Sequence, residues 1–164
     1  MKLETLSDLY LEQLRDLYSA ETQIIEALPL MISQASHPEL RQAFQQHLNE
    51  TKQQRERLDQ IFDNLGKSAK GETCMAMEGL IKEANHMLKN KSDADVLDAG
   101  LITAAQRVEH YEIAGYGTVA TYAEMLGRTD DHRLLGLTLQ EEKQTDEILN
   151  RIAKTVVNPE ALQV

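Results

Sequence analysis

Six acidic residues stand in or beside helical apolar stripes, where leucine would ordinarily be found. In the series Tyr10, Leu14, Leu17, Glu21, Ile24 and Leu28, apolar side chains recur at three- and four-residue steps, and Glu21 fills one of the core slots. A second stripe, defined by Leu58 and Ile61, extends back past Gln54 and His47, with Glu50 on its flank. Ala105, Val108, Glu109, Glu112, Tyr116 and Val119 share a third face, and Leu135, Leu139, Glu142, Asp146, Leu149 and Ile152 a fourth. Buried carboxylates at this density face desolvation and mutual repulsion. The common remedies are protonation with raised pKa values or cations held between the acids. Oxygen donors converging from four helices suit Fe or Mn, as in bundle proteins with two carboxylate-bridged ions. The candidate metal ligands are Glu21, Glu50, Glu109, Glu112 and Glu142, joined by His47 and Asp146, with two ions per chain expected. No residue is assigned a catalytic role.

These acids need long helices to position them. The pattern predicts helices over about 6–35, 39–65, 74–89, 96–126 and 132–156 in a single domain spanning 1–164. Thr5 with Asp8 reads as a capping box, Pro29 as the site of a kink, and Pro38 as the start of the second helix. Gly66 and Gly127 close the second and fourth predicted helices, and Thr129-Asp130 caps the last. Short turns make the first two and the last two long helices antiparallel hairpins. The stretch between them, carrying its own short helix, is long enough to return along the bundle, so the second and third long helices can run parallel. The predicted fold is all-α: a ferritin-like four-helix bundle with one long crossover. Counted from the turns near His37 and Arg128, the inward acids lie about 13 to 18 residues away, which brings them to a common level near mid-bundle at roughly 1.5 Å per residue.

Composition agrees with that class. Aromatic residues make up 4% of the chain, tryptophan is absent, and period-two strand patterns hardly appear. A net charge of −10 argues against nucleic acid as a partner, and no apolar run approaches the length of a membrane span. Met1 to Tyr10 alternates charged and apolar residues, unlike a signal peptide, and Cys74 is the lone cysteine. The expected location is the cytoplasm.

The ligand set departs from the usual dinuclear bundle, in which two helices each carry Glu-x-x-His. Here Glu50 is followed at the third position by Gln53 and Glu142 by Thr145, while histidine precedes in His47-x-x-Glu50. Each assignment has a plainer alternative. A small rotation puts any of the glutamates at an interface edge, His47 at the core boundary and Asp146 at the surface. His110 reads as a surface group or as a neighbour of a ligand, Tyr18 and Tyr116 as core aromatics or hydrogen-bond partners of the ligands. Cys74, Met75 and Met77 read as packing or as a subunit contact.

The segments Leu17–Glu21, His47–Thr51, Ala76–Ile81, Val108–Ala114 and Glu141–Asp146 resemble the YciF/YciE family of ferritin-like bacterial stress proteins. The resemblance spans about residues 5–155. It implies a ferritin-like fold, homodimers, induction under stress, and kinship with rubrerythrins and manganese catalases. The family's presumed metal positions fall on Glu21, Glu50, Glu109, Glu112 and Glu142. Residues and resemblance together point to a dinuclear Fe or Mn site that oxidises Fe(II) or handles peroxide or dioxygen. A non-enzymatic metal-binding or structural dimer acting through protein partners is the alternative. A metal-free bundle with protonated acids is a third reading.

Overall fold

The chain nucleates its helices with local capping chemistry. The computed structural model describes residues 3–164, and the first helix, α1 (Leu6–Gln34), opens on a reciprocal capping box. The Thr5 hydroxyl accepts from the Asp8 amide at 3.1 Å, and the Asp8 carboxylate accepts from the Thr5 amide at 2.9 Å. The helix runs through Pro29, which cannot donate to the Ile25 carbonyl, and ends five residues later. Pro38 starts α2 (Pro38–Leu65), whose amino-terminal cap is His37. Gly66, at φ 60°, ends it in the left-handed region that glycine adopts without strain.

After a loop, Cys74 caps α3 (Met75–Leu88), its sulfur accepting from the Met77 amide. Asp93 caps α4 (Ala94–Met125), two residues ahead of the predicted start. The predicted Thr129-Asp130 cap is corrected: α5 (Thr129–Ile152) already includes both residues, and its cap position, Arg128, makes no side-chain capping bond. Asp131 is drawn elsewhere, accepting from Arg128 Nε at 2.5 Å and from the Tyr10 hydroxyl at 3.1 Å. A π-helical turn (Ala153–Val157) and a final short helix, α6 (Asn158–Ala161), follow. No strand occurs among the described residues.

Four long helices pack in a ring of neighbours: α1 on α2 and α4, α5 on α2 and α4. Tyr116 of α4 meets Glu21 of α1, and Asp98 near the start of α4 meets Ser36 and His37 just past the end of α1, so these two helices are antiparallel. Arg57–Glu141 and Arg151–Glu39 fix α2 and α5 the same way. It follows that α2 and α4 run parallel, and the segment carrying α3 crosses the bundle lengthwise, packing on α1 and α4. Its start is pinned by Cys74, whose amide donates to Ser19 Oγ at 2.9 Å and whose sulfur lies 3.1 Å from the Tyr111 hydroxyl. Tyr111 in turn donates to Asp16 of α1.

The interior is apolar at both ends. One cluster gathers Ile24, Leu28, Leu40, Phe44, Leu101, Ile102, Leu149 and Ile152, among others. The other gathers Tyr10, Leu14, Leu17, Leu58, Ile61, Tyr116, Val119 and Leu135. Between these two clusters along every long helix lie buried polar residues: Glu21 on α1, His47, Thr51 and Gln54 on α2, Glu109 and Glu112 on α4, and Thr138 and Glu142 on α5. No helix among the described residues is long and apolar enough to cross a membrane.

Candidate metal centre

Each element supplies its polar residue from the slot that its apolar stripe dictates. On α1, Glu21 follows Leu14 and Leu17 and precedes Ile24 and Leu28, all buried. On α2 the buried series is Leu40, Phe44, His47, Thr51, Gln54, Leu58 and Ile61, which puts His47 on the inward face. On α4, Glu109 and Glu112 continue Leu101, Ile102 and Ala105 toward Tyr116, and on α5 Glu142 sits between Leu135 and Leu149.

Glu21, Glu109, Glu112 and Glu142 are each 0% exposed and His47 is 2% exposed. One ligand atom from each of His47, Glu109, Glu112 and Glu142 lies within 4.8 Å of all the others. Glu21 adjoins this group from the α1 side, near enough for its charge to act on Glu112 and Glu109. His47 Nδ1 approaches Glu109 Oε1 to 3.2 Å, yet the contact lacks hydrogen-bond alignment and both ring nitrogens are without a hydrogen-bond partner. Both oxygens of Glu109, Glu112 and Glu142 are likewise buried and unpartnered, as is Oε2 of Glu21. Glu21 Oε1 alone is satisfied, by the hydroxyl of Tyr116.

So many buried carboxylate oxygens without donors put the groups far from their solution behaviour. Burial, followed by the charge of Glu142, pushes the Glu21, Glu109 and Glu112 carboxyls well above the ordinary range. Burial raises Glu142 to about 7, against the opposing pull of Glu109, Gln54 and Glu112. The same burial lowers His47 to about 4, so its imidazole is neutral at physiological pH. Tyr116 is held well above its usual value by burial and then by Glu21, which leaves its phenol proton available to that carboxylate.

A rim of charge surrounds this layer. Arg57 grips Glu141 with two bonds of 2.6 Å and also reaches Thr138 Oγ1 at 3.1 Å. Gln54 Nε2 donates to Glu141 at 3.1 Å. The clamp offsets part of the charge of Glu141, which nevertheless still raises its sequence neighbour Glu142 and Glu21.

The seven candidate ligands are thus divided. Glu21, His47, Glu109, Glu112 and Glu142 come together. Glu50 is half-buried and turned aside, accepting from Gln46 Nε2 at 2.8 Å and Thr145 Oγ1 at 3.4 Å. Asp146 lies 17% exposed at the edge, 3.2 Å from His110 Nε2, close enough to raise Glu109 but outside the converging set. From α2 it is His47, and not Glu50, that faces the centre. His110 is an exposed partner of Asp146, and Tyr18 packs edge-to-face on Phe62. Met77 is fully buried, while Met75 is 80% exposed. Neither the Arg57–Glu141 clamp nor the donation by Gln54 was anticipated from sequence. The signal for Gln54 was its place in the stripe between Thr51 and Leu58.

Against known proteins the chain is far from isolated. The Escherichia coli (strain K12) protein YciF is 46% identical over 162 residues, 98% of each chain. The crystal structure of the E. coli stress protein YciF superposes with a TM-score of 0.91, covering 95% of this chain and 99% of that one. YcfI of Rhodopseudomonas palustris, designated a candidate structural protein, matches at 49% identity and a TM-score of 0.88, covering 91% of this chain and 95% of that one. A Xanthomonas campestris protein at 23% identity and a TM-score of 0.75 shares the fold, covering 98% of this chain and 100% of that one. Residues 5–162 match the family described as "Domain of unknown function (DUF892)". With that match over nearly its whole length and its close likeness to YciF, this chain belongs to the DUF892 family.

Proposed function

We propose that the protein is a ferritin-like metal carrier of the stress response, holding two Fe or Mn ions between Glu21, His47, Glu109, Glu112 and Glu142. The observation that carries this reading is the convergence of four buried carboxylates and one imidazole whose oxygens and ring nitrogens, Glu21 Oε1 apart, have no aligned hydrogen-bond partner. Such groups are ordinarily satisfied by hydrogen bonds or by cations, and the residues present fit cations. Four ionised carboxylates and one neutral imidazole match the charge of two divalent ions without surplus. The helix order, with parallel α2 and α4 joined by a lengthwise crossover, agrees with a ferritin-like arrangement of the kind that hosts such centres, which supports the reading.

Glu109, Glu112, Glu142 and His47, whose ligand atoms converge, would hold the ions, with Glu21 adding its carboxylate from the α1 side. Tyr116 orients Glu21 by donating its proton to Oε1. Glu50 stands one turn from His47, on the same side as Thr145, where exchange of its Gln46 bond would let it swing inward. Bound iron or manganese would supply one-electron redox chemistry that no side chain here provides. Oxidation of Fe(II), or handling of peroxide or dioxygen, under stress is the activity that this equipment suits, and the likeness to the E. coli stress protein supports that setting.

Anaerobic titration of metal-free protein with Fe(II) or Mn(II) tests the reading. Two ions per chain are expected, with uptake lost in a Glu112→Ala, Glu142→Ala variant that keeps its helical circular dichroism. Uptake below one ion per chain, or uptake indifferent to those substitutions, would sink it.

A second reading, a metal-buffering or structural homodimer acting through partners, draws on the presence of one histidine where dinuclear oxidases carry two, and on the structural designation of the R. palustris relative. Aerobic Fe(II) oxidation or peroxide loss no faster than in the double variant would favour it.

A further inference from the structure

Where the crossover helix lies over the bundle, packing leaves a cavity of about 30 Å³. Three helices enclose it and a fourth closes its end. Ile24 and Leu28 come from α1, Leu80 and Ile81 from α3, Ala105 and Val108 from α4, and His47 from α2. The outer residues Ala84, Asn85 and Ala104 are half-buried, whereas Ile24, Leu28, Ala105 and His47 are shut off from solvent. With Ala27 and Met31 of α1 half-buried as well, the lining runs from a partly exposed rim of α1, α3 and α4 residues to an inner wall where the imidazole stands. His47 belongs both to this wall and to the group of ligand atoms that includes Glu109, Glu112 and Glu142, and its two ring nitrogens have no hydrogen-bond partner.

Size and polarity limit what can enter. The free space corresponds to roughly two water-sized spheres, enough for a diatomic molecule. Apart from Asn85 at the rim, His47 at the end and the weakly accepting thioether of Met31, the walls are alkyl and methyl groups that offer neither donors nor acceptors. A polar solute would shed its hydration without replacement, and an ion more so. A small uncharged apolar molecule has no such hydrogen bonds to lose, and dry apolar cavities of this kind take up gases.

We propose that this passage binds small apolar gases, dioxygen being the one that a metal held by the carboxylate layer could use, and admits it to the His47 side of that layer. The binding site itself stands on the cavity alone; its role as an entry route rests on the metal-centre reading above. It gives the crossover helix a purpose beyond connection, because α3 supplies part of the wall and of the rim.

Xenon, an apolar probe of similar size, separates the two. In metal-free protein under xenon pressure, methyl resonances of Ile24, Leu28, Leu80, Ile81 and Val108 should shift in a saturable manner. Ala104→Leu, and independently Ala84→Leu from the opposite rim, should abolish those shifts while circular dichroism stays unchanged. Absence of shifts in the unaltered protein, or their persistence in both plugged variants, overturns the site. In protein loaded with Fe(II), the same plugs should slow oxidation by dioxygen by roughly an order of magnitude, with ion stoichiometry and oxidation by hydrogen peroxide unchanged. Unaltered dioxygen kinetics, or equal slowing with peroxide, overturns the entry route. Xenon binding without Fe(II) uptake would instead defeat the metal-centre reading and leave the gas site standing.

Discussion

Leu14, Leu58, Ile61, Val119 and Leu135 at one end of the bundle, and Glu21, Glu109, Glu112 and Glu142 in its middle, are equally withheld from water. The same helices carry both sets, often a single turn apart: Leu17 and Glu21 on α1, Glu112 and Tyr116 on α4. For the apolar set, burial is itself the source of stability, about 1.5–3 kcal/mol for each large aliphatic side chain removed from water. For the carboxylates, burial without donors opposes folding, as their raised pKa values record. The difference teaches that the middle layer is not there to hold the fold together. The two apolar clusters supply the stability that allows an unfavourable layer to be kept, and such layers are where sequence consistency is given up for function.

The sharpest way to break that contrast is to truncate one layer and neutralise the other. Leu58→Ala should destabilise the metal-free protein by about 2–5 kcal/mol, since Leu58 is fully packed and the cavity would be only partly refilled. Glu112→Leu should have the opposite sign, raising metal-free stability by about 1–4 kcal/mol because both unpartnered oxygens disappear. Thermal melts in chelator read both. Two losses of similar size would mean that the carboxylate layer is satisfied and that the contrast is false.

The pH dependence sharpens the same point. A carboxyl whose pKa is raised on folding contributes stability that is present when it is protonated and is lost as pH rises through the folded value. Glu142, at about 7, and the three acids held well above their usual range should therefore make metal-free protein melt higher at pH 6.5 than at pH 8. His47 acts in the reverse sense. Its folded value of about 4 lies below the ordinary 6.5, so it costs stability only as pH falls below about 6.5, outside this window. With Fe(II) or Mn(II) bound the slope should invert, because metal competes with those protons and its stabilisation grows with pH. Melting curves at both pH values, with chelator and with metal, give the four numbers needed. A metal-induced shift that is larger at pH 6.5 than at pH 8 would contradict the assignment of these acids as ligands.

How much of this was written in the sequence varies with the range of the interaction. The Thr5–Asp8 box, Pro38 and Gly66 act within a turn, and each does in the structure what its residue type predicts. The start of α5 differs from expectation because the helix already includes Thr129 and Asp130, and its first-turn Asp131 answers to Tyr10, 121 positions away, a contact that no local pattern contains. Glu21, Glu109, Glu112 and Glu142 were legible as acids in leucine slots. The contribution of α2 was harder to read, since its inward stripe passes through His47, Thr51 and Gln54, a mostly polar stretch in which Leu48 is the one buried apolar residue. A single-residue step turns a helix by about 100°, which is enough to exchange a flank for a core position. Asp98 gave no signal at all. It is buried because it accepts from Ser36 and His37 across the bundle end, a partnership that only folding creates.

The smallest expected effect lies at the boundary between the two layers, on Tyr116. Its ring belongs to the apolar cluster and its hydroxyl to the carboxylates, where it donates to Glu21. Tyr116→Phe keeps the ring packed and removes one donor, so the apolar contribution should be almost untouched and stability should fall by about 1 kcal/mol. Glu21, deprived of the bond that pulls its pKa down, should hold its proton to still higher pH. Metal affinity should then weaken, with the loss shrinking as pH is raised toward the point where Glu21 gives up its competing proton. Isothermal titration over a range of pH distinguishes this from a packing defect, which would weaken binding equally throughout.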